Sequence, residues 1–342
     1  MNPDWRDFLA SRGGHFHEDQ IDGFGGDAQA AFAAADSGAA LVPLTQFGLI
    51  RATGEDAAVF LHNLLSNDVR GLNPDRAGRC GFCTPKGRLL ADFLVWREGN
   101  DYLLQLSADI QPALLKKLGM YVLRSKVKLT DGGGDTVLLG LAGAAAEAAL
   151  TAAGLAAPAA VMEVAHCADG ALIRLGERRF QAALRPEAAM RLWQPLSAHA
   201  TPAGAAVWRW LDIAAGIPHI TAPTQEEFVP QMANLDLIGG ISFTKGCYPG
   251  QEVVARTKYL GKVKRRTYRV GIEGDCPPPG ADLFSADLPG QSCGKIIEAA
   301  PCPNGCEALA SMLMSSADTG DVRLSGPDGP RLSFLPLPYA LD

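Results

Sequence analysis

The residues best suited to chemistry stand together in one short turn, where a lysine and a cysteine lie two positions apart, at Lys245 and Cys247. Two glycines and a proline set a tight path through this turn, and a helix is predicted to begin at Gln251. A nearby cation and the free N–H groups of a helix N-terminus both favour a thiolate over a thiol. The sequence therefore predicts a reactive Cys247. The alternative is a small side chain that only fills space in the turn.

The elements that lead up to this turn follow a mixed pattern of helices and strands. The first half of the chain reads as strand, helix, strand, strand, helix, strand, and its helices carry apolar residues at core spacing. This order is a split βαβ arrangement, which predicts an α+β fold rather than a doubly wound sheet. The predicted segments are residues 47–52, 57–65, 89–97, 101–107, 109–123 and 124–129.

The second half repeats this plan between residues 136 and 215, and after residue 270 it contains only short strands and turns. Short strands at regular spacing are typical of a small antiparallel barrel. The pair Asn304-Gly305 is the strongest hairpin signal in that region. The sequence predicts three consecutive domains, namely residues 1–130, 131–252 and 253–342.

Length and composition restrict the class of protein. The chain has 342 residues, of which 47% are hydrophobic and 20% are charged, as in an ordinary globular protein of two or three domains. A net charge of −6 excludes a general nucleic-acid binder. The N-terminal residues lack a signal-peptide pattern, and no segment is apolar enough for a membrane span. We therefore expect a cytoplasmic protein without a membrane partner.

The eight cysteines are expected to be reduced thiols in such a protein. Two pairs, Cys80 with Cys83 and Cys302 with Cys306, have spacings that occur in metal sites. However, the first pair opens a predicted strand, the second flanks a hairpin turn, and no histidine stands at ligand spacing from either. We therefore predict no metal site, with a structural zinc or cluster site as the alternative.

Residues 253–272 carry seven basic side chains and no acid. One interpretation is a solvated strand face. The other is an anion-binding rim for a polyglutamate tail, a phosphate or RNA, and Tyr259 and Tyr268 among the cations permit stacking. The basic residues are Arg256, Lys258, Lys262, Lys264, Arg265, Arg266 and Arg269.

The string Lys-Gly-Cys-Tyr-x-Gly-Gln-Glu of residues 245–252 resembles the signature of the YgfZ family of folate-binding, iron–sulfur-related proteins. That family shares its fold with the T-protein, or aminomethyltransferase, of the glycine cleavage system. Further strings match the family in the same order, so the resemblance spans about residues 1–270. These strings are Gly54-Glu55-Asp56-Ala57 with Asn67-Asp68-Val69, Tyr121-Val122-Leu123-Arg124, Gly216-Ile217-Pro218, Pro230-Gln231 and Asn234-Leu235.

The resemblance implies a GcvT-like and YgfZ-like α+β fold with two ferredoxin-like subdomains around a central cavity and a C-terminal antiparallel β-barrel. It implies a tetrahydrofolate ligand and a role in iron–sulfur cluster synthesis or repair in client enzymes, including tRNA-thiolating enzymes. Cys247 would be the reacting thiolate or a transient cluster ligand, and Lys245 would keep it ionised. Gly246, Tyr248, Gly250, Gln251 and Glu252 would shape the turn, with Glu252 paired to Arg256.

The folate contacts that this resemblance implies are weaker assignments, and the partners follow from the same reasoning. We expect folate and iron–sulfur client or assembly proteins as partners, only an indirect link to tRNA, and a monomer. The residues expected to contact folate are Arg124, Arg256, Asn234 and Gln231.

Two departures from the T-protein pattern argue against aminomethyl transfer. Ala113 stands where that pattern has an aspartate, and Ala214 stands where it has a glutamate that orients a pterin. Alanine cannot orient the N–H donors of a pterin edge. A folate-dependent one-carbon transferase stays the first alternative function because of the fold shared with the T-protein. The second is a non-catalytic RNA- or protein-binding adaptor that uses the basic segment, for which charge reversal of Arg265 and Arg266 would matter and Cys247→Ser would be silent.

Overall fold

A computed structural model describes residues 1–259 and 261–341 of the chain. The chain forms two compact units, each built from several separate segments. The first unit comprises Met1–Phe60, Gly71–Gly78 and Leu94–Trp208, and the second comprises Leu61–Arg70, Arg79–Phe93 and Arg209–Asp342. Each unit joins segments that are far apart in the chain, and the three consecutive domains expected from the sequence stay a prediction.

The helices and strands of the described residues are short. The helices are α1 (Pro3–Ser11), α2 (Ala28–Ser37), α3 (Ala57–Leu64), α4 (Gln111–Gly119), α5 (Ala146–Ala152), α6 (Pro186–Ser197), α7 (Ala205–Ala214), α8 (Gln251–Tyr259) and α9 (Met314–Asp318), with 3₁₀ turns at Ala222–Thr224 and Pro230–Ala233. The strands are β1 (His15–His17), β2 (Gln20–Gly23), β3 (Ala40–Pro43), β4 (Phe47–Thr53), β5 (Gly78–Cys83), β6 (Leu89–Glu98), β7 (Asp101–Ser107), β8 (Lys128–Asp131), β9 (Val137–Ala142), β10 (Val164–Cys167), β11 (Gly170–Gly176), β12 (Arg179–Leu184), β13 (Thr201–Pro202), β14 (Arg265–Ile272), β15 (Asp282–Ser285), β16 (Ser292–Cys302), β17 (Gly305–Leu313), β18 (Val322–Leu324) and β19 (Ser333–Leu335).

The split βαβ arrangement predicted for the first half is confirmed. Strands β4, β6, β7 and β8 and helices α3 and α4 follow in the expected sequence, and the sheet has the order β5-β6-β7-β4-β8. The hairpin between β6 and β7 pairs Glu98 with Asp101, and Gly99 there has a φ of 61°. Helix α4 ends at Gly119, earlier than predicted, so Arg124 lies in an exposed loop rather than in a strand.

The second sheet recruits a strand from the start of the chain, which the sequence does not indicate. Its order is β10-β11-β12-β9-β3-β13, and β3 pairs with β9 so that Leu41 lies opposite Leu141. Residues 1–43 therefore pack with this sheet, where Trp5 and Leu9 of α1 contact the apolar core that includes Trp193. Burial of such side chains stabilises the arrangement by roughly 1.5–3 kcal/mol each.

The C-terminal strands form a curled antiparallel sheet in the order β18-β15-β16-β17-β14-β19, as expected for the barrel region. The predicted hairpin at Asn304-Gly305 is confirmed, since Cys302 pairs with Gly305 across it. The expectation that all cysteines are reduced is wrong for one pair, because Cys276 and Cys306 form a disulfide. The register of β14 on β17 brings the loop that contains Cys276 back beside Cys306.

Among the described residues, no helix is long and apolar enough to cross a membrane. The described residues also contain no group of three or more histidine, cysteine, aspartate or glutamate side chains that could hold a metal ion.

Candidate functional site

The Lys245–Cys247 turn belongs to the second unit, and its approach is held by hydrogen bonds to the segment after α3. The Ser66 hydroxyl donates to the Gly240 carbonyl at 2.6 Å, and the amide of Asn67 donates to the Gly239 carbonyl at 2.7 Å. Ser66 also accepts a bond from the Gly81 N–H at 2.7 Å, which ties the approach to strand β5. The two hydrogen bonds of Ser66 are buried, and together with the Asn67 bond they fix the entry to the turn.

The exit of the turn requires glycine at position 250. Gly250 has a φ of 81°, which L-residues rarely adopt, and a Cβ there would lie 2.5 Å from the Thr84 carbonyl oxygen and 2.7 Å from the Gly87 Cα. The start of α8 therefore packs at backbone distance against the 84–87 turn. The predicted start of the helix at Gln251 is confirmed.

Lys245 binds the C-terminal end of α3. Its ammonium donates to the carbonyl oxygens of His62 and Leu65, two of the groups that a helix end leaves without an intrahelical partner. It also lies 5.0 Å from the centre of the Tyr248 ring. Burial lowers the pKa of Lys245 to about 8, against the opposing influence of Cys80 and Asp68. The predicted effect of this ammonium on the Cys247 sulfur stays a prediction.

The thiols near the turn differ in accessibility. Cys247 is exposed, whereas Cys80 and Cys83 on β5 are 1% exposed. Burial raises the pKa of Cys83 to about 12 and raises the pKa of Cys80 further. Burial likewise raises the pKa of Tyr248, which is 6% exposed. The two buried thiols are therefore kept protonated, and Cys247 is the accessible sulfur of this region.

The remaining turn residues lie at the surface beside the sulfur. Gly246 and Glu252 are exposed, and Gln251 is half-buried at the start of α8. Among the described residues Glu252 and Arg256 form no ion pair, and both are exposed on α8. A fully solvated pair at this spacing gains little.

The residues predicted to contact folate have different environments. Asn234 is fully buried, and its amide donates to the Thr267 carbonyl and accepts from the Thr267 N–H, so its observed role is structural. Gln231 is also fully buried and donates to the Val254 carbonyl at 2.7 Å, while its Oε1 has no hydrogen-bond partner. Arg256 is exposed on α8, and Arg124 belongs to the first unit. Their roles toward folate stay predictions.

The basic segment is less uniform than its sequence indicates. Arg266 is 3% exposed and bonds Asp236 at 2.7 Å, and Arg269 bonds Glu307 at 2.7 Å. These two cations hold the fold together instead of facing solvent. The exposed cations are Arg256, Lys258, Lys262 and Lys264.

His62 also lies beside the turn, although no local pattern in the sequence indicates it. The His62 side chain is 6% exposed, and its Nδ1 lies 2.9 Å from Oδ1 of Asp68. The Asn67-Asp68-Val69 string indicates a family resemblance and no partner for a histidine. His62 lies on the short helix α3 and Asp68 follows it six positions later, a spacing that carries no local signal for this contact.

A buried ionisable cluster in the second unit was also missed. His219 contacts Asp92 through Nδ1 at 3.1 Å and Asp212 through Nε2 at 3.2 Å, and its backbone N–H donates to Glu298 at 3.1 Å. Burial raises the pKa of Glu298 to about 8. Burial alone would lower the pKa of His219, but Asp92, Glu298 and Asp212 together raise it well above its usual value.

Comparison with known proteins identifies the family. Residues 22–241 match the family described as the GCVT N-terminal domain. A "tRNA-modifying protein YgfZ" from Edwardsiella ictaluri is 34% identical over 324 residues, which cover 88% of this chain and 94% of that protein. The protein of the same name from Sodalis glossinidius is 31% identical over 306 residues, 88% of this chain and 93% of its own. The chain belongs to the YgfZ family.

Fold comparison agrees with membership in the YgfZ family. The aminomethyltransferase T of the glycine cleavage system from Bartonella henselae superposes with a TM-score of 0.82 at 19% identity, over 99% of this chain and 97% of that one. At this identity the likeness concerns the fold alone. It confirms the α+β, GcvT-like fold expected from the sequence.

Proposed function

We propose that this YgfZ-family protein binds a folate and assists iron–sulfur cluster synthesis or repair in client enzymes, including those that thiolate tRNA, with Cys247 as the thiol that contacts the cluster. The cluster is cargo in this scheme. The proposal keeps the expected client or assembly proteins as partners, an indirect link to tRNA, a cytoplasmic location and a monomer. Its tRNA connection draws on the name of the curated relatives, "tRNA-modifying protein YgfZ".

The observation that carries the proposal is the exposed Cys247 on a turn fixed at both ends. Ser66 holds the approach, Lys245 binds the end of α3, and Gly250 allows close packing of the exit. A thiolate is a ligand that iron–sulfur clusters prefer. An accessible sulfur at a defined position suits transient capture of a cluster better than a sulfur buried like Cys80.

The first unit offers groups that fit a pteridine. Gln181 of β12 donates to Gln105 of β7 at 2.6 Å, which joins the two sheets, and its Oε1 has no partner. Gln46 is 6% exposed, and both its amide nitrogen and its amide oxygen lack partners. Buried amides without partners are costly, and a pteridine edge presents complementary donors and acceptors. Tetrahydrofolate supplies a carrier for one-carbon units when bound.

Replacing Cys247 by serine is expected to abolish complementation of a bacterial strain that lacks its own family member. Serine keeps the size but does not bind iron as a thiolate does. The readout is thiolated tRNA nucleosides measured by mass spectrometry, with thermal melting to confirm an intact fold. Cys167→Ser, which removes an exposed thiol on β10, is the matched control and should complement fully. Full complementation by Cys247→Ser would remove the proposed role of this thiol.

That complementation assay also distinguishes the adaptor alternative. An adaptor predicts a silent Cys247→Ser and a strong effect of charge reversal at Arg265, which is half-exposed. Arg266 is unsuitable for that test, because reversing a buried cation beside Asp236 would disrupt the fold.

Titration with tetrahydrofolate is expected to give saturable heat in calorimetry. Gln46→Met should weaken binding by roughly tenfold, the equivalent of about 1.4 kcal/mol for a lost hydrogen bond, without lowering stability, because the amide it removes has no partner in the protein. Cys247→Ser is the control and should bind as the unmodified chain does. Absence of saturable heat would refute the folate part of the proposal, and an unchanged affinity in Gln46→Met would exclude this amide as a ligand.

A further inference from the structure

We propose that His62 is the general base for Cys247 and that Asp68 orients it, so that the end of α3 and the turn form a cysteine–histidine–aspartate site. This inference rests on the proposed function, in which Cys247 is the reacting group. It adds the residue that receives the thiol proton. All three residues belong to the second unit.

Asp68 holds the His62 ring in one orientation. Nδ1 lies 2.9 Å from Oδ1 of Asp68, a distance at which an N–H donates to a carboxylate. A proton held on Nδ1 leaves Nε2 with its lone pair free to accept one. The side chain is 6% exposed, and Nε2 has no hydrogen-bond partner among the described residues. An imidazole buried in this way with one free nitrogen is oriented for proton transfer.

Nε2 of this ring points toward the turn. A Cβ placed on Gly246 would lie 3.7 Å from Nε2 of His62, so the imidazole faces the backbone of the turn next to the cysteine. Position 246 carries no side chain that could stand between the ring and the neighbouring sulfur. Catalytic contacts of this kind are often long without substrate and shorten when one binds.

Hydrogen bonds of Lys245 hold the turn against the end of α3, where His62 lies. The Lys245 ammonium donates to the carbonyl oxygen of His62 itself and to that of Leu65 at 2.5 Å. The residue before Gly246 is therefore bonded to the residue whose ring faces Gly246. This lysine acts here as a positioning residue, and the nucleophile–base–orienter order follows the logic of activated cysteines.

The chemical step balances without an external oxidant or reductant. The proton of the Cys247 thiol moves to Nε2 of His62, and the sulfur lone pair forms a bond to an iron of an incoming cluster. The bond from that iron to the donor protein's thiolate breaks, and the departing thiolate takes the proton from the imidazolium. With an alkyl iodide as probe, the sulfur–carbon bond forms, the carbon–iodine bond breaks, and iodide leaves.

The test is alkylation of the full chain by iodoacetamide at pH 6.5, with the rate at each cysteine read from peptide mass spectrometry. Cys167 is the internal reference, since it is exposed on β10 and the neighbouring His166 bonds the Pro74 carbonyl. We expect Cys247 to react about a hundredfold faster than Cys167, which is the lower end of general-base effects. His62→Gln should bring the ratio to about one and give both thiols the same pH profile.

A second variant keeps the test decisive if His62→Gln folds poorly. Asp68 is 46% exposed, so Asp68→Asn should preserve the fold while it removes the orienting charge, and the ratio should fall to an intermediate value. A ratio near one in the unmodified chain, or a ratio unchanged in both variants, would overturn the assignment of His62. The two proposals fail separately. If Cys247→Ser loses complementation but Cys247 is not alkylated fast, the proposed function stands and the assignment of His62 as base fails. If Cys247 is alkylated fast but Cys247→Ser complements fully, the proposed function fails and the assignment of His62 stands.

Discussion

Replacing Asp236 by alanine is expected to lower the free energy of unfolding by about 3–5 kcal/mol, because it leaves Arg266 buried without its counter-ion. The two side chains are 5% and 3% exposed and lie 2.7 Å apart. The same guanidinium donates to the Gln231 carbonyl at 3.1 Å, so it also holds the segment that leads to the Lys245–Cys247 turn. A loss of this size is a large fraction of the stability of an ordinary domain.

Urea unfolding of the unmodified chain and of Asp236→Ala measures the loss of stability. A more exposed ion pair of the same unit provides the control. Lys295 and Asp282 lie 3.4 Å apart with side chains 33% and 47% exposed, so Asp282→Ala should cost no more than about 1 kcal/mol. Combining Asp236→Ala with Arg266→Met should recover much of the stability, because no unpaired charge then stays buried. Equal losses in Asp236→Ala and Asp282→Ala would contradict a structural role for the buried pair.

Local patterns predicted the parts of the site that lie close together in sequence. The turn at residues 245–250 and the start of α8 at Gln251 depend on glycine, proline and helix-start preferences, which act over a few residues. The hairpin at Asn304-Gly305 is of the same kind. Family resemblance added the fold, because strings spread over most of the chain matched in order.

The contacts that complete the site depend on tertiary packing, which local patterns do not encode. The Lys245 ammonium bonds the carbonyl of His62, 183 positions away in the chain. Strand β3 joins β9 across the second sheet, and Cys276 meets Cys306 through strand register, in each case by non-local pairing. Arg266 belongs to a basic segment for which the sequence allows a solvated face, yet it is buried against Asp236, since burial of a charge depends on the partner that packs against it.

The stability of the second unit is expected to fall as the pH rises from about 5 to 8, because its buried cluster holds protons that the unfolded chain releases. An unfolded Glu298 would ionise near 4.5, whereas in the fold burial keeps it protonated up to about pH 8. The folded state therefore binds more protons than the unfolded state throughout this window, and the free energy of unfolding must decrease with pH. The raised pKa of His219 acts in the same direction, since its contribution is present below about 6.5 and is lost as pH rises through the folded value.

Glu298→Gln isolates the contribution of the carboxyl group. Glutamine keeps an oxygen that can accept the His219 N–H bond but does not titrate, so the variant should be more stable than the unmodified chain at pH 8 and should show a flatter pH dependence. Each pKa unit of difference corresponds to about 1.36 kcal/mol, which places the expected change at a few kcal/mol across the window. Urea unfolding at several pH values measures it.

The control for this experiment is Glu307→Gln on the neighbouring strand β17, where the carboxylate bonds the more accessible Arg269. The Glu307→Gln variant should keep the pH dependence of the unmodified chain. Three acids face His219 from three elements, namely Asp92 of β6, Asp212 of α7 and Glu298 of β16, and Arg209 of α7 acts on Glu298. A pH slope that persists unchanged in Glu298→Gln would mean that the imidazole, and not the Glu298 carboxyl group, carries the proton linkage.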